Sequence, residues 1–131
     1  SLVFPNAKIV KTGSITAEMV KYFTNTFLAT KVSFANEMKM ICDGLNIDYD
    51  KVVEYSTYDE RLGKSHWAVP GPDGHYGFGG SCFPKDINAL INLCAKMDIP
   101  ARTLLGAWIT NLNVRPEQDW KELKGRAVVD E

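Results

Sequence analysis

No glycine and no proline interrupts the chain from Ala17 to Asp43, and this run constrains the fold more than any other feature. Apolar residues recur within it at Val20, Phe23, Phe27, Leu28, Phe34, Met38 and Ile41, close to helical spacing. The run predicts a single helix of roughly 27 residues, about 40 Å long at the usual rise per residue. Thr16 is placed to cap its start, Glu18 complements the dipole in the first turn, and Gly44 ends it. A helix this long exceeds what one small domain needs. The sequence therefore predicts a spine that packs against other helices or a second subunit.

Shorter elements follow. Asp48 caps a predicted helix at Tyr49–Ser56. Residues 57–81 read as loop, with Pro70-Gly71-Pro72-Asp73-Gly74 as a turn cluster. A loop that long in a compact domain is usually functional or disordered. The next helix is expected from Pro84 to about Met97, and another over about Ala101–Asn113 between two prolines. Lys8–Lys11 could form a short strand, and Trp120–Leu123 a helical turn. The expected fold is mainly α, built around one long spine helix. Its expected parts are a leading segment 1–13, a central helical domain 14–115 and a linker 116–131.

Composition excludes several functions. The 131 residues, 45% of them hydrophobic, suit one domain with a real core. A net charge of −1 provides no basic field for nucleic acid. No apolar run reaches membrane-spanning length. Cys42, Cys82 and Cys94 are odd in number and lack metal-ligand spacing, which fits a reducing cytoplasm and no disulfide framework. The start, Ser1-Leu2-Val3-Phe4-Pro5, does not read as a signal peptide, and Ser1 in place of methionine suggests either a cloning scar or an excised domain.

The chemistry concentrates at Phe78-Gly79-Gly80-Ser81-Cys82-Phe83-Pro84-Lys85-Asp86. Pro84 reads as the first residue of a helix, which puts Cys82 at or just before its N-terminus. The partial positive charge there favours the thiolate, the nucleophilic form of cysteine. Asp86 lies one turn further on the same face. Glycines at 77, 79 and 80 allow close approach to the backbone. On this pattern alone Cys82 is as well read as a small apolar core residue as a nucleophile. Lys21 and Asn25 are four residues apart on the long helix and share one face. Such pairs are commonly solvated, but here the neighbours Val20, Tyr22, Phe23 and Phe27 are apolar.

Gly77-Phe78-Gly79-Gly80-Ser81-Cys82-Phe83-Pro84-Lys85-Asp86 resembles the active-site signature of the UDP-glucose/GDP-mannose dehydrogenase family. Three further blocks resemble that family in the same order. They are Ala17–Asn25 running on to Phe34-Ala35-Asn36-Glu37, then Asp59-Glu60-Arg61-Leu62-Gly63, then Asn111-Leu112-Asn113-Val114-Arg115. Together they cover roughly residues 14–115, the family's central helical domain, like the C-terminal domain of 6-phosphogluconate dehydrogenase. The resemblance implies a four-electron oxidation of a nucleotide-sugar primary alcohol to a carboxylate, using NAD twice. It implies that Cys82 forms a thiohemiacetal and then a thioester. Lys21 and Asn25 would stabilise the developing oxygen anions, and Asp86 would orient Lys21 or a water. Arg61 is matched to an arginine that reaches the substrate of the neighbouring subunit. Phe78 and Gly79 would touch the sugar through their backbone. Phe83 would pack near the nucleotide, and a core position suits it equally well.

The chain lacks a dinucleotide-binding fingerprint, so NAD is expected to be held by a domain outside it. The isolated chain is expected to be inactive. UDP-glucose is the expected substrate of the whole enzyme, with GDP-mannose and UDP-N-acetylhexosamines as alternatives. A homodimer is the expected assembly. The competing expectation is a helical dimerisation module without catalysis.

Overall fold

A computed structural model describes residues 12–123. Four α-helices carry the fold: α1 (Thr12–Gly44), α2 (Tyr49–Ser56), α3 (Cys82–Lys96) and α4 (Arg102–Val114). Short 3-10 turns occupy Glu60–Leu62 and Asp119–Leu123. No strand occurs among the described residues. The possible strand at Lys8–Lys11 lies outside them.

α1 is the spine, and α2, α3 and α4 each pack on it. Its 33 residues begin five positions earlier than the sequence reading placed them, so Thr16 lies inside the helix and not at its cap. α3 likewise begins at Cys82, two residues before Pro84. Pro84 thus sits in the first turn, where no intrahelical N–H is required of it. Asp48 caps α2 as expected, its side chain accepting from the N–H groups of Asp50 and Lys51.

Three apolar clusters follow one another along the spine. Tyr22 of α1 meets Leu93 of α3 near the start. Ala29, Phe78, Ile87 and Ala107 join α1, the glycine turn, α3 and α4 in the middle. Ala35, Cys42, Tyr49 and Val69 join α1 to α2 and the loop near the end. Full burial of one large aliphatic side chain such as Ile87 contributes about 1.5–3 kcal/mol.

The inward face of α1 is not its most apolar one. Tyr22, Thr26, Ala29, Ser33 and Asn36 are buried, alternating at spacings of four and three. Mostly small, these residues let neighbouring elements approach closely, and the polar ones have partners. Thr26 Oγ1 donates to the Tyr22 carbonyl (2.6 Å) and Ser33 Oγ to the Ala107 carbonyl (2.6 Å). Phe23, Phe27 and Phe34 point outward, with exposures of 69%, 59% and 53%.

Candidate active site

Asn25, one turn after Lys21 on α1, meets α3 directly. Its Nδ2 donates to Asp86 Oδ2 at 2.7 Å, and Asp86 is fully buried. Lys85 Nζ lies 3.5 Å from the other carboxylate oxygen, an ion pair without an aligned hydrogen bond. One oxygen of a buried carboxylate therefore keeps hydrogen-bonding capacity, which is unusual enough to need a reason. Burial disfavours the Lys85 charge, yet the Asp86 carboxylate together with side-chain hydrogen bonding and the Tyr22 phenol outweighs it and holds the ammonium pKa above its ordinary value. Burial, reinforced by the charges of Asp86 and Glu18, pushes the Tyr22 phenol up. Lys21 is exposed, with its ammonium 5.3 Å from the Tyr22 ring centre.

Cys82 opens α3 one turn before Asp86, and its side chain is exposed. Ser81 Oγ lies 4.0 Å from its sulfur. Of the three cysteines, Cys42 is buried and Cys94 only partly exposed. The α1–α3 contact thus brings Asn25 to Asp86, while Lys21 and Cys82 each stand one turn away on those same two helices.

Phe78, Gly79 and Phe83 line one cleft of about 520 Å³ together with His66 and Asp73. Phe78 is buried in the central cluster, its ring edge-on to Phe83 at 6.1 Å. Its backbone is already engaged. The Phe78 N–H donates to Asn111 Oδ1 (2.7 Å), and Asn111 Nδ2 donates to the Phe78 carbonyl (2.9 Å). Gly77 has φ +70, and a Cβ there would collide with the Asn111 amide. Phe83 is half-buried and lies 5.8 Å from the His66 ring.

Arg61 stands apart from this cleft. It occupies the 3-10 turn capped by Asp59, whose carboxylate it grips through Nε and Nη2, the latter at 2.6 Å. That hydrogen bonding lowers the Asp59 pKa and raises that of Arg61. The Arg61 side chain is 88% exposed. It borders a recess shared with Phe27 and Phe34, so it belongs to the outward apolar face of α1. The turn is tied to α1 by Lys31, whose buried Nζ donates to the Leu62 carbonyl (2.8 Å) and lies 4.7 Å from the Trp67 ring centre. Burial lowers the Lys31 pKa.

Sequence reasoning gave no role to the residues that hold the glycine turn. Asn111 grips Phe78, Asn36 Oδ1 accepts from the Gly77 N–H (3.2 Å), and Arg115 anchors the turn from below. The signal available was an asparagine in a helix rich in apolar residues, as Asn111 is three residues before the end of α4.

Residues 15–113 match the UDP-glucose/GDP-mannose dehydrogenase family, central domain. The chain belongs to this family. It is 38% identical over 106 residues to the UDP-glucose 6-dehydrogenase TuaD of Bacillus subtilis, covering 81% of this chain and 22% of that protein. It is 38% identical over 115 residues to the UDP-glucose 6-dehydrogenase of Rickettsia prowazekii, covering 88% and 25%. With AglM of Haloferax volcanii, a UDP-glucose 6-dehydrogenase, identity is 37% over 125 residues, covering 95% and 28%. The chain therefore spans about a quarter of the length of the curated relatives it matches.

As a central domain of that family, the described residues do not by themselves fit NAD. A dinucleotide cradle needs a strand leading through a glycine turn into a helix, and the described residues contain no strand. The glycine turn that is present is filled from behind by Asn111 and Arg115. No helix of the described residues is long and apolar enough to cross a membrane. Among the described residues there is no group of three or more potential metal ligands.

Proposed function

We propose that this chain is the central, cysteine-bearing domain of an NAD-dependent UDP-glucose 6-dehydrogenase. The carrying observation is the Asn25–Asp86 hydrogen bond across α1 and α3, with an exposed Cys82 at the start of α3. In this reading the Cys82 thiolate adds to the carbonyl carbon of the sugar aldehyde, and the carbonyl oxygen becomes an alkoxide. Lys21 and Asn25 stabilise that oxygen by charge and by hydrogen bonding. Oxidation of the adduct belongs to the nicotinamide cofactor, which residues outside this chain would hold. Water then cleaves the resulting thioester, and the free capacity of the Asp86 carboxylate suits it to orienting that water. Phe78 and Phe83 wall the cleft beside the sugar, with Gly79 giving room for close approach.

The outward stripe of α1 supports a homodimer as the working unit. Val20, Phe27, Phe34 and Ile41 repeat every seven residues and are each more than half exposed. Arg61 borders that stripe, which suits it to reaching a substrate held by a second subunit. A reducing cytoplasm is the compartment that three free thiols fit.

The decisive experiment is Cys82→Ser in the whole dehydrogenase. Net acid formation should cease, because a serine adduct forms and departs far less readily. Full activity in that variant overturns the assignment. Light scattering of this chain tests the assembly: a particle of only 14.6 kDa at micromolar concentration overturns the dimer.

A further inference from the structure

The glycine turn that leads to Cys82 is gripped from a position just beyond the family match. Arg115 follows α4, and its side chain is only 3% exposed. Its donors run to three segments. Nε donates to Asp119 Oδ1 (3.0 Å), and Nη2 to Asp73 Oδ2 (2.7 Å) and Asp119 Oδ2 (3.3 Å). Nη1 donates to the carbonyls of Tyr76 (3.2 Å) and Gly77 (3.5 Å). These bonds engage every one of the guanidinium N–H groups. Asp119 in turn accepts the Gly80 N–H through Oδ2 (3.0 Å). Trp120, buried beside it, packs against Trp108 with ring centres 5.0 Å apart and planes tilted by 57°, and fixes the 3-10 turn that carries Asp119.

We propose that Arg115, with Asp73 and Asp119, is a positioning residue: an ionic brace around a buried guanidinium that sets the 76–80 turn and so places Cys82. The proposal rests, for its catalytic part, on the reading of Cys82 given above. An arginine near a nucleotide-sugar cleft invites assignment as a phosphate ligand. Its engaged donors argue against that, because a phosphate could be bound only by breaking an existing contact. The turn is shaped around the brace. A Cβ at Gly79 would run into both Arg115 and Asp119, and Gly80, with φ +74, turns its N–H onto Asp119. Asp73 also lines the cleft, so the same guanidinium ties the cleft wall to the turn. Burial raises the pKa of each carboxylate, but hydrogen bonds and the Arg115 charge outweigh it and hold both below their ordinary values.

The test uses conservative variants, because Arg115→Ala would leave two carboxylates unpaired and could unfold the chain. Asp119→Asn keeps the shape but leaves one oxygen for both Gly80 and Arg115. Arg115→Lys keeps the charge but cannot bridge three segments. Hydrogen exchange of the 131-residue chain, resolved by peptide, is the first readout. Peptides covering 76–81 should exchange about tenfold faster in both variants, the size of effect that loss of one charged hydrogen bond produces. Peptides within α1 should keep wild-type rates, which global destabilisation would not allow. Unchanged exchange at 76–81 overturns the brace. In the whole dehydrogenase, Arg115→Lys should lower kcat with little change in KM for the nucleotide sugar. Faster exchange with wild-type kcat, while Cys82→Ser is inactive, overturns the positioning role and leaves the dehydrogenase reading standing. If Cys82→Ser is fully active, that reading falls, and the exchange result alone decides the brace.

Discussion

Asn111→Ala should be among the most destabilising single substitutions in this chain. The side chain is fully buried and bonds both the N–H and the carbonyl of Phe78, at 2.7 and 2.9 Å. Truncation leaves those two backbone groups without partners beneath Gly77 and against α4. A buried polar group left unsatisfied costs about 1–3 kcal/mol. Two such groups, with partial relief by water entering the vacated space, give a loss of about 2–4 kcal/mol. Domains of this kind have total stabilities of about 5–15 kcal/mol, so the loss is a large fraction. It corresponds to a fall in Tm of about 10 °C, taking about 4 °C per kcal/mol for a domain of about this size. Urea and thermal unfolding followed by circular dichroism at one fixed protein concentration measure it. Asn113→Ala supplies the control: the same chemistry two residues further along α4, exposed, and expected within about 0.5 kcal/mol of wild type. If Asn111→Ala costs no more than that control, the pair of hydrogen bonds does not hold the glycine turn.

Alkylation with iodoacetamide, read by mass spectrometry, should modify Cys82 first, Cys94 next and Cys42 last, following their exposure; labelling of Cys94 ahead of Cys82 refutes the order. Arg61→Ala should leave the stability of the chain within about 0.5 kcal/mol of wild type, since a lone exposed ion pair contributes little. In the whole dehydrogenase the same change should raise KM for the nucleotide sugar more than it lowers kcat. Tyr49 makes stability fall at alkaline pH. Burial first, then the neighbouring Asp50 and Cys42, push its phenol up to about 12, while its hydroxyl donates to the Trp67 carbonyl at 2.6 Å. A raised folded-state pKa stabilises fully below the unfolded value near 10 and is lost as pH rises towards about 12. Tyr49→Phe should flatten that part of the stability-versus-pH curve, and an unchanged slope between those pH values contradicts the assignment.

Local signals carried much of this domain. An uninterrupted run of helix-compatible residues announced α1, Asp48 announced the start of α2, and prolines bracketed α4, because backbone conformation and capping depend on near neighbours in the chain. The Cys82–Asp86 spacing along α3 and the Lys21–Asn25 spacing along α1 followed from the same periodicity. Which face of α1 turns inward did not follow. The apolar run offered packing on other helices or on a second subunit, and only the fold shows Phe23, Phe27 and Phe34 outward and Ala29 and Ser33 inward, with a hydroxyl partner, the Ala107 carbonyl, 74 positions away. The pairing of Asn25 with Asp86 spans 61 residues and depends on how α3 crosses α1. Arg115 likewise reads in the chain as a charge at a helix end; only the fold encloses it between Asp73 and Asp119. Propensity and spacing are properties of a segment, whereas burial and the partner of a polar group are properties of the packing between segments.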